Sequence, residues 1–199
     1  MSLLFETIRL ENGELQNLEF HNSRLNKSRS AFFGSTDFID LRNVIQIPND
    51  IGQGIYKVKV IYSQAAEEVI FAPYIPGKIE SLRLVADEQI VYSSKFTDRS
   101  QLDKLFQERG LYDDILIVKA GNITDTSFSN IVFYDGSRWI TPATPLLEGT
   151  MRNYLLTNKL ISEKTIRVHD LHHFQKARLI NAMLPLATGT DIRIEKISF

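Results

Sequence analysis

Apolar and polar positions divide this chain into many short segments. Residues 3–10 mix apolar side chains with Glu6, Thr7 and Arg9 and predict a strand. Asn12-Gly13 is a strong hairpin signal, and residues 14–19 read as the returning strand. Residues 20–28 are polar and helical in tendency, with Leu18, Leu25 and Phe32-Phe33 as the buried side and Gly34 as the stop. Residues 37–44 predict a second short helix. Pro48-Asn49-Asp50 and Gly52-Gln53-Gly54 mark a loop. Residues 55–63 alternate, with Tyr56, Val58 and Val60 on one face and Lys57, Lys59 and Ile61 on the other, and residues 68–74 predict another strand.

Pro73, Pro76 and Gly77 interrupt the pattern and set the expected domain boundary, 1–78 and 79–199. Beyond it, residues 81–86 predict a strand and 100–109 a helix, with Leu102, Leu105 and Phe106 at helical spacing and Gly110 ending it. Residues 114–118 predict a strand that turns through Gly121-Asn122 into a Thr/Ser-rich bend and the apolar run Ile131-Val132-Phe133. A strand at 138–142, a helix from Gly149 through Lys159, a short helix at 168–176 and a strand at 177–183 complete the pattern. There is no internal repeat and no low-complexity run. The fold class is mixed α/β, with a small N-terminal α+β domain and a larger C-terminal domain.

Composition narrows the function classes. The 199 residues are 43% hydrophobic and 24% charged, which suits packed domains. A net charge of -1 argues against non-specific nucleic-acid binding. The absence of cysteine removes disulfides, thiolate nucleophiles and Cys-based zinc sites. The first residues carry no basic signal-peptide region, and no apolar run reaches the roughly 20 residues of a membrane span. A soluble cytoplasmic protein without membrane or nucleic-acid partners is the expectation.

Five features carry candidate chemistry. Asp125 is a lone acid among small hydroxyl residues at a strand entry. It suits an Asx-turn as well as an anionic partner for a cationic ring nitrogen. Lys95 in Ser-Lys-Phe-Thr-Asp-Arg suits a solvated surface role, or a Schiff base if its setting is apolar. Gly149-Thr150-Met151-Arg152 opens a helix whose free N–H groups suit phosphate. Arg24 offers a planar fork for two phosphate oxygens. His169, His172 and His173 are compact but read as a polar helix start, with no coherent metal-ligand set around them.

Taken in order, these segments resemble the class IV aminotransferases, the pyridoxal-phosphate (PLP) enzymes of fold type IV. Phe5-Glu6-Thr7-Ile8-Arg9 resembles the family's Phe-Glu-Thr-x-Arg strand, and His21-Asn22-Ser23-Arg24-Leu25 its His-x-x-Arg-Leu helix. Ile123-Thr124-Asp125 through Ser129-Asn130-Ile131-Val132-Phe133 resembles its most diagnostic segment, where the acid is usually Glu. Thr141-Pro142 through Pro145-Leu146-Leu147 with Gly149-Thr150-Met151-Arg152, and Leu179-Ile180-Asn181-Ala182-Met183, resemble the segments that follow. Within the family the run at Lys95, Asp98 and Arg99 and the Asn-Ala-Met segment are most similar to the group that converts 4-amino-4-deoxychorismate to 4-aminobenzoate and pyruvate, a step of folate biosynthesis. The family's Gly-Asp-Gly turn before Phe-Glu-Thr has no counterpart after Met1, and Asp125 is one methylene shorter than Glu.

The resemblance implies a fold-type IV enzyme with a barrel-like C-terminal PLP-binding domain, acting as a homodimer on a small-molecule substrate. Lys95 would carry PLP as a Schiff base and serve as acid and base. Asp125 would pair with the ring nitrogen. Arg24, Thr150 and Met151 would hold the phosphate with help from Asn181, and Arg9 and Lys59 would meet a substrate carboxylate. No metal is implied. A class IV aminotransferase acting on D- or branched-chain amino acids uses the same Lys95 and Asp125, and a non-catalytic family member is the third possibility.

Overall fold

The alternation at the start of the chain builds a sheet with one apolar and one mixed face. In the computed structural model, which describes residues 3–199, the chain divides into two compact units. The first runs to Pro76 and recovers Ser94–Asp98; the second holds Gly77–Ser93 and Arg99–Phe199. In the first unit, β1 (Leu4–Glu11), β2 (Glu14–Leu15), β3 (Ile55–Tyr62) and β4 (Ala66–Pro73) form an antiparallel sheet of order β2-β1-β3-β4. The β1/β3 register sets Leu4 opposite Tyr62 and Ile8 opposite Val58. Leu4, Ile8 and Leu10 join Val58, Val60 and Tyr62 in a core that includes Leu18 and Leu25 of helix α1 (Leu18–Phe33) and Leu41 of helix α2 (Leu41–Val44). Glu6 belongs to the same alternating set as Leu4 and Ile8, so the strand's period itself buries this acid.

Two expectations for this unit change. The strand foreseen at 14–19 stops at Leu15, because Asn17 takes a left-handed conformation (φ 54) and Leu18 already starts α1. The helix foreseen at 37–44 is a single turn from Leu41. Its upstream residues are occupied elsewhere: Asp37 meets Arg29, while Asp40 adopts an extended conformation and accepts the Arg42 N–H at 3.0 Å. Helix α1 ends as expected, at Gly34 with φ 68, whose N–H returns to Ser30 O.

The expected boundary at 78/79 groups Lys95 with the second domain, whereas Ser94–Asp98 group with the first compact unit. The Phe5 N–H donates to Lys95 O at 2.9 Å, the Thr97 N–H donates to Leu3 O at 2.9 Å, and Leu4 bridges Phe96 in antiparallel fashion. Lys95 therefore lies next to an isolated bridge to β1, in the first unit.

The second unit contains β5 (Leu82–Ala86), β6 (Asp114–Lys119), β7 (Asn122–Thr126), β8 (Asn130–Tyr134), β9 (Trp139–Pro142), β10 (Ser162–Lys164), β11 (Lys176–Ile180), β12 (Ile192–Arg193) and β13 (Ile197–Ser198), with helices α3 (Ser100–Gln107) and α4 (Thr150–Thr157). They form two mixed sheets, ordered β13-β5-β6-β7 and β10-β9-β8-β11-β12. One core joins both: Leu82, Leu84, Leu116, Val118 and Ile123 from the first, and Ile131, Phe133, Ile140, Ala177 and Leu179 from the second. The barrel-like expectation thus takes the form of two sheets sharing a core. The helix foreseen at 168–176 is a 3-10 turn, Val168–His173, followed directly by β11. Strands β10, β12 and β13 are too short to leave a period in the sequence.

Arg29 is the main buried polar tie of the first unit. It is 2% exposed and reaches Gln64 O through Nε (2.8 Å), Asp37 O through Nη1 (2.9 Å) and the Asp37 carboxylate through Nη2. Replacing it with methionine keeps an unbranched apolar stem but strands two carbonyl oxygens. Arg29→Met is expected to lose about 2–3 kcal/mol in urea unfolding, and an unchanged midpoint would show that these bonds contribute nothing net.

Candidate active site

The segment after β6 folds back sharply and presents an acid. β7 is buried from Ile123 to Thr126, and Asp125 lies within it. Asp125 Oδ1 accepts from Asn130 Nδ2 at 2.7 Å, and Oδ2 accepts the Leu147 N–H at 2.9 Å. Asn130 Nδ2 also donates to Leu147 O at 2.9 Å, so one amide spans the acid and the loop. The bend that links the two residues is tight. The Thr126 N–H donates to Ser129 O, and the Ser129 N–H donates to Thr126 Oγ1. Two further groups hold it: Arg99 Nη2 donates to Ser127 O at 2.6 Å and Asn181 Nδ2 to Ser129 Oγ at 2.7 Å. Asn181 Oδ1 accepts the N–H groups of Met183 and Leu184. This side chain, expected to assist at the phosphate, is therefore engaged with the bend and with its own turn. Asp114, fully buried where β6 begins, lies beside Thr126 and Ser127; burial raises its carboxyl above the usual range against the pull of those neighbours.

The electrostatics of Asp125 follow from this setting. Burial pushes its carboxyl up to about 6, opposed by the donors at Leu147, Asn130 and Leu146 and by the charge of Arg152. Among the described residues no cation pairs with Asp125. Arg152 instead gives Nη2 to Glu163 (2.6 Å) and to Pro142 O (3.0 Å). Gly149 packs against the same amide: a Cβ there would meet Asn130 Oδ1 at 2.0 Å. Gly149 also opens α4 without a side-chain cap, so helix geometry gives the first-turn N–H groups of Thr150 and Met151 no acceptor within the helix.

Lys95 and Arg24 lie in the first unit. Lys95 Nζ is 4.7 Å from the centre of the Phe5 ring, and Lys59 Nζ is 4.9 Å from it. Arg24 forks onto Glu6, with Nε to Oε1 at 2.9 Å and Nη2 to Oε2 at 2.5 Å. His21 Nδ1 meets Glu6 Oε2 at 2.6 Å. Glu6 is completely buried, which alone would raise its carboxyl; the Arg24 charge and the bonds from His21 and Arg24 prevail and hold it at about 2. His21 is pushed down by burial, opposed by Glu6 and reinforced by the charges of Arg24 and Lys95. Neutral, it donates Nδ1–H to Glu6. Arg9 binds Glu11 through Nε and Nη2, both at 3.0 Å.

Sequence reasoning named Arg24 but missed Glu6 and His21, its immediate company. Their signal was present, since His21 and Arg24 stand three apart on a helix and Glu6 occupies a core position of a strand. Asn130, Leu147 and Arg99 stood in the family-like segments of the sequence, but nothing there gave them a role.

With this geometry in view, comparison with known proteins gives the class. The chain belongs to the amino-transferase class IV family, whose model matches residues 93–192. It is 35% identical over 182 residues to a protein of uncharacterised function from Haemophilus influenzae (strain ATCC 51907 / DSM 11121 / KW20 / Rd), covering 90% of this chain and 97% of that one. A crystal structure from Haemophilus somnus 129pt, provisionally named a 4-amino-4-deoxychorismate lyase, is 33% identical with a TM-score of 0.86 over 94% of this chain and 98% of its own. At the level of fold alone, a hypothetical aminotransferase of Mycobacterium tuberculosis in its PLP-bound form matches with a TM-score of 0.73 at 18% identity, over 96% of this chain and 80% of that one.

The two buried acids generate two predictions. Glu6 falls from its usual 4.5 to about 2, and His21 is also depressed, so both resist protonation in the folded state. Their stability is fully present above the unfolded values and is lost as pH falls through the folded ones. For Glu6 that loss, between pH 5 and 2, is on the order of 3 kcal/mol. Glu6→Gln should flatten this acid limb in denaturant titrations at pH 3 and pH 6; an identical slope would refute the linkage. Gly149→Ala should displace Asn130 and lower stability by about 1–3 kcal/mol, seen as a reduced melting temperature, whereas unchanged melting would mean that the contact relaxes freely.

Proposed function

We propose that this protein is a PLP-dependent lyase that converts 4-amino-4-deoxychorismate to 4-aminobenzoate and pyruvate. One observation carries the cofactor reading: Asp125 is a buried carboxylate held by neutral donors, with no cation paired to it among the described residues. A protonated ring nitrogen is the partner that such a group lacks. The uncapped start of α4 at Gly149 suits a phosphate in the same way. Likeness to the Haemophilus somnus protein supports the lyase over other class IV reactions.

In this reading Lys95 carries the cofactor and Asp125 keeps its ring nitrogen protonated. Arg24 and the N–H groups of Thr150 and Met151 hold the phosphate, and Asn181 acts through Ser129. Bound PLP supplies an electron sink for the amine-bearing carbon. Lys95 Nζ, freed when the substrate amine takes its place, would remove the proton from that ring carbon as the bond to the enolpyruvyl oxygen breaks and the ring aromatises. The released enolpyruvate takes a proton at its methylene carbon to become pyruvate. A positioned acid–base group of this kind contributes about 10²–10⁴ in rate. Lys59 and Arg9 are the proposed carboxylate ligands, Arg9 with Glu11 as its internal competitor. A homodimer is part of the reading, following the family resemblance. No helix among the described residues is long and apolar enough to cross a membrane.

Incubating the protein with PLP and aminodeoxychorismate should yield pyruvate and 4-aminobenzoate in equal amounts. Borohydride should attach the cofactor at Lys95, and Lys95→Ala should abolish both results. Asp125→Ala should still label at Lys95, more weakly, while turnover falls by at least about a hundredfold; normal turnover in that variant would sink the assignment. Amino transfer to a keto acid without pyruvate release would make the protein an aminotransferase instead.

A further inference from the structure

The histidine-rich turn plays no part in the proposed reaction. Among the described residues it forms no group of three His, Asp or Glu side chains able to hold a metal ion. It does wall a recess of about 320 Å³ in the second unit, at the lower end of the size range of small-molecule sites. The floor is apolar. Ile140 and Ile166 are buried, and the Phe174 ring packs on Phe133 with centroids 5.1 Å apart.

The rim is charged but unevenly satisfied. Asp135 Oδ1 already accepts the N–H groups of Ser137 and Arg138 and the Ser137 hydroxyl, and Arg138 Nε stands 3.5 Å from Oδ2. Asp170 Oδ2 accepts the Arg167 N–H, and its Oδ1 faces His169 Nε2 at 3.5 Å. Lys164 Nζ and the ring nitrogens of His173 make no hydrogen bond or ion pair among the described residues, although both residues line the recess. The His173 ring is in tilted contact with His172, with centroids 3.8 Å apart, and His172 Nδ1 donates to His169 O at 2.5 Å. The acids are hydrogen-bonded by the turns that carry them, while Lys164 and His173, which act on Asp170 only through space, carry no side-chain hydrogen bond of their own among the described residues above an apolar floor.

We propose that this recess binds a small organic carboxylate, with its apolar body against Ile140, Ile166 and Phe174 and its carboxylate taken by Lys164 and His173. The complementarity is of two kinds, flat apolar surface below and unspent donors at the rim, and it favours an aryl or short-chain acid over an inorganic anion. The site is separate in its residues from those assigned to the cofactor and does not depend on that assignment.

Benzoate and its neutral isostere benzamide test this by isothermal titration calorimetry on the full-length protein. Benzoate is expected to saturate one site in the millimolar range, with benzamide at least about tenfold weaker. Lys164→Ala and His173→Ala, both exposed positions, should each weaken benzoate about tenfold while leaving benzamide and the melting temperature unchanged. No saturable uptake, equal affinity for the two probes, or benzoate affinity untouched by Lys164→Ala would each overturn the proposal. The last result would also assign any benzoate binding to another part of the protein.

Discussion

The second unit depends on one arrangement, a buried carboxylate held by neutral donors alone. Asp125 receives one bond from an amide side chain and one from a backbone N–H, and burial leaves its carboxyl near 6. Desolvation that raises an acid is a standing cost to the fold, and nothing in a purely structural role requires it. The surrounding bonds maintain it nevertheless. Asn130 is positioned by Leu147 O, Gly149 is the residue that lets α4 approach Asn130, and Arg99 and Asn181 brace the bend between β7 and β8. In the proposed reading, an acid bonded only by neutral donors in a braced neighbourhood suits a cation that arrives with a ligand.

The first unit buries its carboxylate by the opposite strategy. Glu6 is as deeply enclosed as Asp125, yet it lies near 2 because Arg24 forks onto it and His21 closes its other side. The same desolvation acts on both acids; Glu6 is bonded directly by a guanidinium, whereas Asp125 feels only the more distant charge of Arg152. Glu6 also determines how Arg24 is presented. Two of its donor atoms are engaged at a fixed angle, which orients the planar group through a strand and a helix.

Legibility in the sequence followed the range of the interactions. Elements with their own period were readable: β1, β3, α1, α3 and β8 all show their apolar spacing, and Gly34 marks the end of α1. Segments whose form is set by partners were not. The 14–19 stretch keeps strand-like composition but yields at Asn17, and residues 37–40 lose their helix to Arg29 and Asp40. Lys95 is the clearest case. Its local sequence places it after a Pro-Gly linker with the second unit, whereas its backbone pairs with β1, and no local pattern encodes a bridge so distant in the chain. The candidate residues Asp125, Lys95 and Arg24 were visible as residue types, and the family resemblance supplied their roles. The groups that tune them, Asn130, Leu147 and Glu6, act through geometry that composition does not carry.

In the proposed reading, the pairing of Arg24 with Glu6 bears on how a phosphate would be held. With Glu6 near 2, this carboxylate stays ionised through the neutral range and Arg24 keeps its internal partner. The pair is close to neutral as a unit, so Arg24 brings directed N–H groups to a phosphate more than it brings net charge. In the proposed reading the start of α4 at Gly149 shares the phosphate with Arg24, backed by the positive end of the helix. Gly149 therefore serves twice: its missing side chain admits Asn130 beside Asp125, and the same absence leaves the helix start uncapped. In the proposed reading one small residue thereby couples, through Asn130, the acid that suits a ring nitrogen on β7 to the start of α4 that suits a phosphate, although the two are distant in the chain.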